Sequence, residues 1–352
     1  MAVTVLKNTM VGETLTDLIL KDGLIAEIGR TDAPGRDMGG LRVFPGLIDI
    51  HCHGHVGEDA TDGGDLSKAA RFLYQNGTTT WLPTTTTASF DALERATSAL
   101  PPKLADGAEM PGFHVEGPYL SQAYKGAQNP DYLKYPDLKE FSRLRHVRLV
   151  TVAPELPGAM DFIAACPALV CLGHTACTYE EGLAAFRAGA VCVTHTCNAM
   201  PPLQHREPSL IGAAITANAY VQVICDGIHI HPAMITALYR IFGPSRMILI
   251  SDAIRAAGLP DGSYQMGGQE FILKEGVARV PAGNLAGSTA TLLHCVQKAI
   301  SFGIPAADAF RMASQTPAEM LGINRGRIAV GYVADLLFVN ERYELAEVYR
   351  QR

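Results

Sequence analysis

The stretch "LIDIHCHG", residues 47–54, carries an apolar run into His51 and His53, and His55 follows at once. Side chains two apart along a strand point the same way, so Asp49, His51 and His53 are expected to share one side. Adjacent imidazoles are costly to bury and repel once protonated. A divalent cation removes that conflict, because neutral imidazole is the commonest metal ligand.

The same form recurs along the chain. "TTTWLPTTTT" near 78, "EMPGFHVEGP" near 109, "VRLVTVAPE" near 147 and "ALVCLGHT" near 168 are followed by "AVCVTHT" near 190, "YVQVICDG" near 220 and "RMILISDA" near 246. With the first, that makes eight. Each is nearly continuous in Val, Ile, Leu and Cys, as parallel strands covered on both faces require. Between them lie stretches such as "SKAARFLYQNG", "ASFDALERATSAL" and "TYEEGLAAFRAG" with helical apolar spacing, the first and third ending at a glycine. Eight strand–helix alternations predict a closed (β/α)8 barrel of the TIM type rather than an open sheet.

The chain ends differ. "TDLILKDGLIAEIG" has the pattern of a hairpin turning at Asp22-Gly23. "GRIAVGYVADLLFVN" has a similar pattern, and neither end has enough apolar residues for its own core. The expected organisation is a barrel over 45–326 beside a small β-sandwich domain built from 1–44 plus 327–352.

The chain has 352 residues, 48% hydrophobic and 18% charged, which is a globular composition. A formal net charge of −6 argues against a general nucleic-acid binder, and an anionic small ligand would need its own local cations. No apolar run reaches the roughly 18 residues of a membrane span, and the first residues do not form a signal peptide. The eight cysteines form no CxxC pair and sit mostly in apolar runs, as buried free thiols do. A reducing, cytoplasmic setting is expected.

In a barrel, chemistry gathers at the carboxyl ends of the strands. The run endings supply His51 and His53, then Glu116, His174 and His195, then Asp226 with His229, and finally Asp252. These are enough N and O donors for one or two divalent ions. His114, two before Glu116, is expected to pack beneath them. His55, His146, His205 and His294 are expected to be structural, and His231, at the start of a helix, is open.

These residues resemble the amidohydrolase superfamily, in which an HxH strand opens a metal-dependent barrel, and within it the amino-sugar phosphate deacetylases. "HVEGP", "KGAQNP", "THTCNAMPPLQHREPSLIG", "DGIHIHP", "SDAIRAAGLPDG" and "LAGSTATLL" carry the resemblance. It implies Glu116, His174 and His195 as principal ligands, with His51 and His53 holding a second ion bridged through Glu116. One or two divalent ions per subunit, zinc or iron, follow from it. It implies Asp252 as the catalytic base, taking a proton from water that the ion acidifies and passing it to the departing amine. It places His229, Asn198 and Ala199 at the substrate, a phosphorylated amino sugar. It brings Arg206 to the phosphate from the neighbouring subunit of a homodimer. Gln128 stands where relatives often have histidine, and is expected to hydrogen-bond a sugar hydroxyl as a neutral group.

The implied reaction is hydrolysis of the acetamide of N-acetylglucosamine 6-phosphate. The galacto isomer, another amidohydrolase reaction and a non-catalytic barrel scaffold are the alternatives. The C-terminus is short for the resemblance, which leaves the last strand of the small domain in question.

Overall fold

The computed structural model describes residues 3–100 and 102–351. Eight parallel strands follow the eight apolar runs: β1 (Leu47–Cys52), β2 (Thr78–Thr85), β3 (Phe113–Glu116), β4 (Val147–Val152), β5 (Leu169–Leu172), β6 (Cys192–Val193), β7 (Tyr220–Ile224) and β8 (Met247–Ile250). Each pairs with its neighbours in chain order. The barrel closes between β8 and β1 just past the strand ends, where Asp252 N donates to His51 O at 2.9 Å and His53 N to Ala253 O at 2.7 Å.

Nine helices among the described residues cover the outside: α1 (Ser67–Gln75), α2 (Phe90–Thr97), α3 (Leu138–Phe141), α4 (Ala159–Ala165), α5 (Tyr179–Ala188), α6 (Ser209–Ala217), α7 (Pro232–Phe242), α8 (Leu292–Ser301) and α9 (Ala306–Met312). Their boundaries have local causes. For α5, Thr178 and Glu181 form a capping box and Gly189 ends the helix at φ 127°.

Alternation along the strands divides two cores. Val150, Val152, Val170, Leu172, Val221 and Val223 face the helices. Leu149, Cys171, Cys192, Ile224 and Ile248 fill the barrel, which Ala318, Met320 and Leu321 of helix Gln315–Leu321 plug from below. All eight cysteines are free and six are buried, so they serve as core.

The termini build one seven-stranded sheet. Val3–Val11, Thr14–Lys21, Leu24–Ile28, Arg36–Asp37 and Arg42–Pro45 join Asp335–Val339 and Leu345–Arg350. The hairpin turns where expected, with Asp22 at φ 51° and Gly23 at φ 80°. Leu336 and Phe338 from one end of the chain pack with Leu6, Leu18, Leu20 and Ile25 from the other, so each end completes the other's core. Strand Leu345–Arg350 pairs with Asp335–Val339, so the short C-terminus still supplies a closing strand. The outermost residues of the expected small domain, 1–2 and 352, lie outside the described residues.

Candidate metal centre

The sequence puts its polar residues at a repeated offset. His174, His195, Asp226 and Asp252 each stand two residues past the last residue of β5, β6, β7 and β8. Three of them have left-handed backbones: His174 at φ 47°, His195 at φ 25° and Asp252 at φ 49°. Such conformations cost a non-glycine residue roughly 1–3 kcal/mol and cluster where geometry is imposed for function. Here the chain kinks as it leaves the strand and aims the side chain across the barrel mouth.

His51 and His53 arrive by another route. The pairing of β1 with β2 is irregular between Asp49 and Cys52, and this bulge breaks strict alternation. Ile48 and Ile50 pack inside the barrel, Cys52 packs outside, and His51 and His53 face the centre. Asp49 does not join them, contrary to the expectation from spacing. It is fully buried, its Oδ1 accepts from His51 N and Ser251 N, and burial pushes its pKa up to about 6.

The imidazoles are pre-oriented. His51 Nδ1 lies 2.9 Å from Gln222 Oε1, His53 Nδ1 2.9 Å from Thr84 O, and His174 Nδ1 2.9 Å from Tyr124 O. Each acceptor is a carbonyl, so each Nδ1 must donate. In the neutral ring each Nε2 is then a lone pair facing inward, the form that ligates a metal ion.

Those nitrogens converge on one carboxylate. Glu116 Oε1 is 3.3 Å from His51 Nε2, 3.3 Å from His174 Nε2 and 3.0 Å from His195 Nε2, while Oε2 is 3.5 Å from His53 Nε2. Asp252 Oδ1 is 3.3 Å from His51 Nε2 and 3.2 Å from His53 Nε2. The donors fall into two triads that share Glu116: His51, His53 and Glu116, and Glu116, His174 and His195.

A divalent ion fits this arrangement. Among the described residues His51 Nε2 and Glu116 Oε1 are buried without a hydrogen-bond partner, although they face each other. A buried orphan costs about 1–3 kcal/mol, and more when charged. Cations between them would satisfy both, and N/O donors of this kind suit zinc, iron, manganese or cobalt.

The electrostatics of the side chains agree. Burial disfavours charge on His51, but Glu116 and Asp252 outweigh it and lift its pKa to about 10. Burial also disfavours charge on Asp252, yet His51 and His53 hold its pKa at about 2. The cluster is built to surround positive charge.

A cleft of about 380 Å³ opens over the triads. His53, Glu116, His174, His195, His229 and Asp252 line it, together with Gln128, Asn198 and Ala199. Asn198 Nδ2 donates to His195 O at 3.1 Å, and Ala199 sits at φ 49°. His229 Nδ1 is 2.6 Å from Asp226 Oδ2. Gln128 is buried, with its amide engaged by Glu116 and by Thr87 N. Arg206 is exposed, outside this lining, and makes no ion pair among the described residues.

The remaining histidines are accounted for. His114 lies beneath the site, between Ile50 O and Thr151 Oγ1. His231 caps α7 by accepting from Ala233 N. His55 is buried beside Phe72, and burial holds its pKa at about 3. His146, His205 and His294 are exposed and lie outside the lining.

Part of the site was not read from the sequence. Met266 and Asn284–Gly287 line the cleft from the segment between β8 and α8, which folds a three-stranded sheet of Gly262–Met266, Gln269–Lys274 and Val277–Arg279. Its turns at Gly267-Gly268 and Glu275-Gly276 have positive φ, and both are ordinary hairpin signals. Gly287 is required for a separate reason: with φ 79°, a Cβ there would meet Asp252 O at 2.8 Å.

The amidohydrolase family model matches residues 42–350. An N-acetylglucosamine-6-phosphate deacetylase of Vibrio furnissii is 36% identical over 91% of this chain and 84% of that protein. An N-acetylgalactosamine-6-phosphate deacetylase of Escherichia coli O157:H7 is 34% identical over 95% and 93%. A solved structure of a mutant N-acetyl-D-glucosamine-6-phosphate deacetylase from Mycobacterium smegmatis, in complex with N-acetyl-D-glucosamine 6-phosphate, superposes with a TM-score of 0.92. It is 32% identical and covers 99% of this chain and 98% of its own. With its barrel, its shared carboxylate and a family match over most of its length, the chain belongs to the amidohydrolase family.

Proposed function

We propose that this chain is a metal-dependent deacetylase that hydrolyses N-acetylglucosamine 6-phosphate to glucosamine 6-phosphate and acetate. The observation that carries the reading is the pair of triads sharing Glu116, with Asp252 beside them under a sugar-sized cleft. Relatives with that activity at over 30% identity support the substrate class.

In this reading Glu116, His174 and His195 hold one ion, and His51, His53 and Glu116 hold a second. Zinc and iron both suit the donors. A bound divalent ion acidifies water and polarises an amide carbonyl. Asp252 is the proton carrier. Positive charge around it holds its carboxyl below the usual carboxylate range, so it can accept a proton from water, and the barrel junction holds its backbone through His51 O and Ser288 N. The leaving amine is too basic to depart as an anion, and Asp252 returns the proton to it.

The phosphate is matched by charge from the rim. No Lys or Arg is in the cleft lining among the described residues. His229 is the lining's cationic candidate: burial disfavours its charge, but Asp226 outweighs that and raises its pKa. Asn198 and Ala199 border the same space. Arg206 is exposed and uncommitted, as a group serving a neighbouring copy in a homodimer would be.

The galacto isomer is the second reading, favoured by the Escherichia coli relative of nearly equal identity. Acetate release from the two N-acetylhexosamine 6-phosphates and from unphosphorylated N-acetylglucosamine tests all of this. We expect release from a phosphorylated sugar that a chelator abolishes and a divalent ion restores. If neither phosphorylated sugar releases acetate, the proposal is wrong. None of the helices among the described residues is long and apolar enough to cross a membrane.

A further inference from the structure

Gln128 sits in the loop that follows β3, 5% exposed, with both ends of its amide committed. Thr87 N donates to its Oε1 at 2.7 Å, and its Nε2 donates to Glu116 Oε2 at 2.6 Å. The orientation is not arbitrary. A backbone N–H can only donate, so the oxygen must face Thr87 and the amino group must face Glu116. Apart from the histidines, Gln128 supplies the side-chain hydrogen bond to Glu116 among the described residues.

This bears on how one carboxylate serves two triads. The last torsion of a glutamate side chain has a broad, soft profile. Glu116 must nevertheless keep Oε1 among His51, His174 and His195, and Oε2 toward His53. Oε2 thus accepts the Gln128 bond while it lies 3.5 Å from His53 Nε2. Its anchor, Thr87 N, lies just past the end of β2, so the tether runs from the barrel wall to the carboxylate.

We propose that Gln128 is a positioning residue for Glu116, holding Oε2 in register with the His51/His53 half of the centre, and is not a reader of the sugar. The inference rests on the metal-centre reading above. Partners of this kind typically change metal affinity or activity by about 10–100-fold.

The test follows metal leaving the protein. The wild type, Gln128→Met and His53→Ala are prepared as holoenzymes with the same divalent ion, and its transfer to a chromogenic chelator is timed. Methionine has nearly the same length as glutamine and makes neither hydrogen bond. The wild type should release in two phases, and the phase lost in His53→Ala marks the His51/His53 half. Gln128→Met should speed that phase about tenfold or more while the other changes by less than about threefold. Its kcat should fall more than its KM rises, and excess metal should restore the kcat. Equal acceleration of both phases would mean a general loosening and overturns the proposal. Unchanged release with a raised KM would make Gln128 a sugar contact and overturns it too. A wild type holding one ion, in the His174/His195 half alone, overturns this inference and the second ion of the reading above, and leaves the Glu116/His174/His195 ion standing. A wild type holding no ion overturns both.

Discussion

The two halves of the centre use the same chemistry and are held in different ways. His51 and His53 have ordinary backbones, and their Nδ1 atoms are tied to Gln222 of β7 and Thr84 of β2, both part of the barrel wall. His174 and His195 sit on left-handed backbone. His174 donates to Tyr124 O in a loop, and the Nδ1 of His195 is buried without a partner among the described residues. One half is aimed by hydrogen bonds at the far side of each ring, the other mainly by kinks where strands end. An imidazole can be oriented from either end, and the sequence reports the two unequally.

The largest expected effect comes from removing what the halves share. Glu116→Ala should empty both triads and bring acetate release down to the uncatalysed level. It leaves four inward-facing imidazoles without the carboxylate that balances a cation. Metal analysis of the purified variant checks this. A variant that keeps a full complement in either half would show that the halves are independent and that Glu116 is not their common member.

Asp252→Asn separates chemistry from metal holding. Asparagine nearly matches the shape but cannot take a proton, so kcat should fall by about 10²–10⁴-fold with metal content intact in both halves. A loss below about tenfold would assign the proton to another group.

The comparison also shows where sequence reading succeeds. The eight strands are legible because each buried run must be apolar on both faces, and an abrupt polar ending then marks the mouth. His174, His195 and Asp252 are legible because a strand end defines their place whatever their φ. Asp49 was misplaced because a bulge leaves no compositional trace, and an alternation count passes straight through it. Gln222 carried a signal that was not used: a lone amide in "YVQVI", within a buried strand, needs a polar partner. Gln128 was found but not oriented, since a loop's path over the site is set by tertiary contacts at Thr87 and Glu116. The three-stranded sheet after β8 was announced by its Gly-Gly and Glu-Gly turns, yet only packing brings Met266 to the cleft.

Gln222→Leu sharpens the comparison at lower cost. It removes the acceptor that fixes His51 and should weaken the His51/His53 ion by about 10–100-fold, with little change in the other half. Titration of each variant with a divalent ion reads both affinities. Equal weakening of the halves would mean that the barrel wall orients the whole cluster and that the division drawn here is false.

The smallest effect concerns an imidazole outside both halves. At the centre the Nδ1 atoms of His51, His53 and His174 meet neutral carbonyls, which leaves their Nε2 atoms to serve a cation. His229 instead meets the Asp226 carboxylate, at 2.6 Å, which keeps it as a cation. Burial lowers its pKa and Asp226 outweighs burial, so in the fold it stays protonated above the ordinary value of about 6.5. Asp226 itself is opposed by burial, but His229 outweighs that and holds its pKa below the ordinary carboxylate range. Asp226→Asn keeps an acceptor for Ile228 N and His229 N but removes the charge, leaving burial to depress His229. If the imidazolium meets the substrate phosphate, the alkaline limb of kcat/KM should move to lower pH. Each unit of movement costs up to about tenfold on the alkaline side, and little at pH values where His229 is protonated in both proteins. The stability term has its own sign. A raised histidine pKa contributes fully below the unfolded value near 6.5 and fades as pH rises through the folded one. A lowered aspartate pKa contributes above about 3.8 and fades as pH falls through its folded value. The variant's melting deficit should therefore be widest between about pH 4 and 6.5 and shrink at alkaline pH. An unphosphorylated substrate should show no comparable shift of the limb. A limb that moves equally for both substrates would place His229 at the reacting acetamide rather than at the phosphate, and the contrast between neutral and charged ring partners would then not sort metal ligands from anion binders.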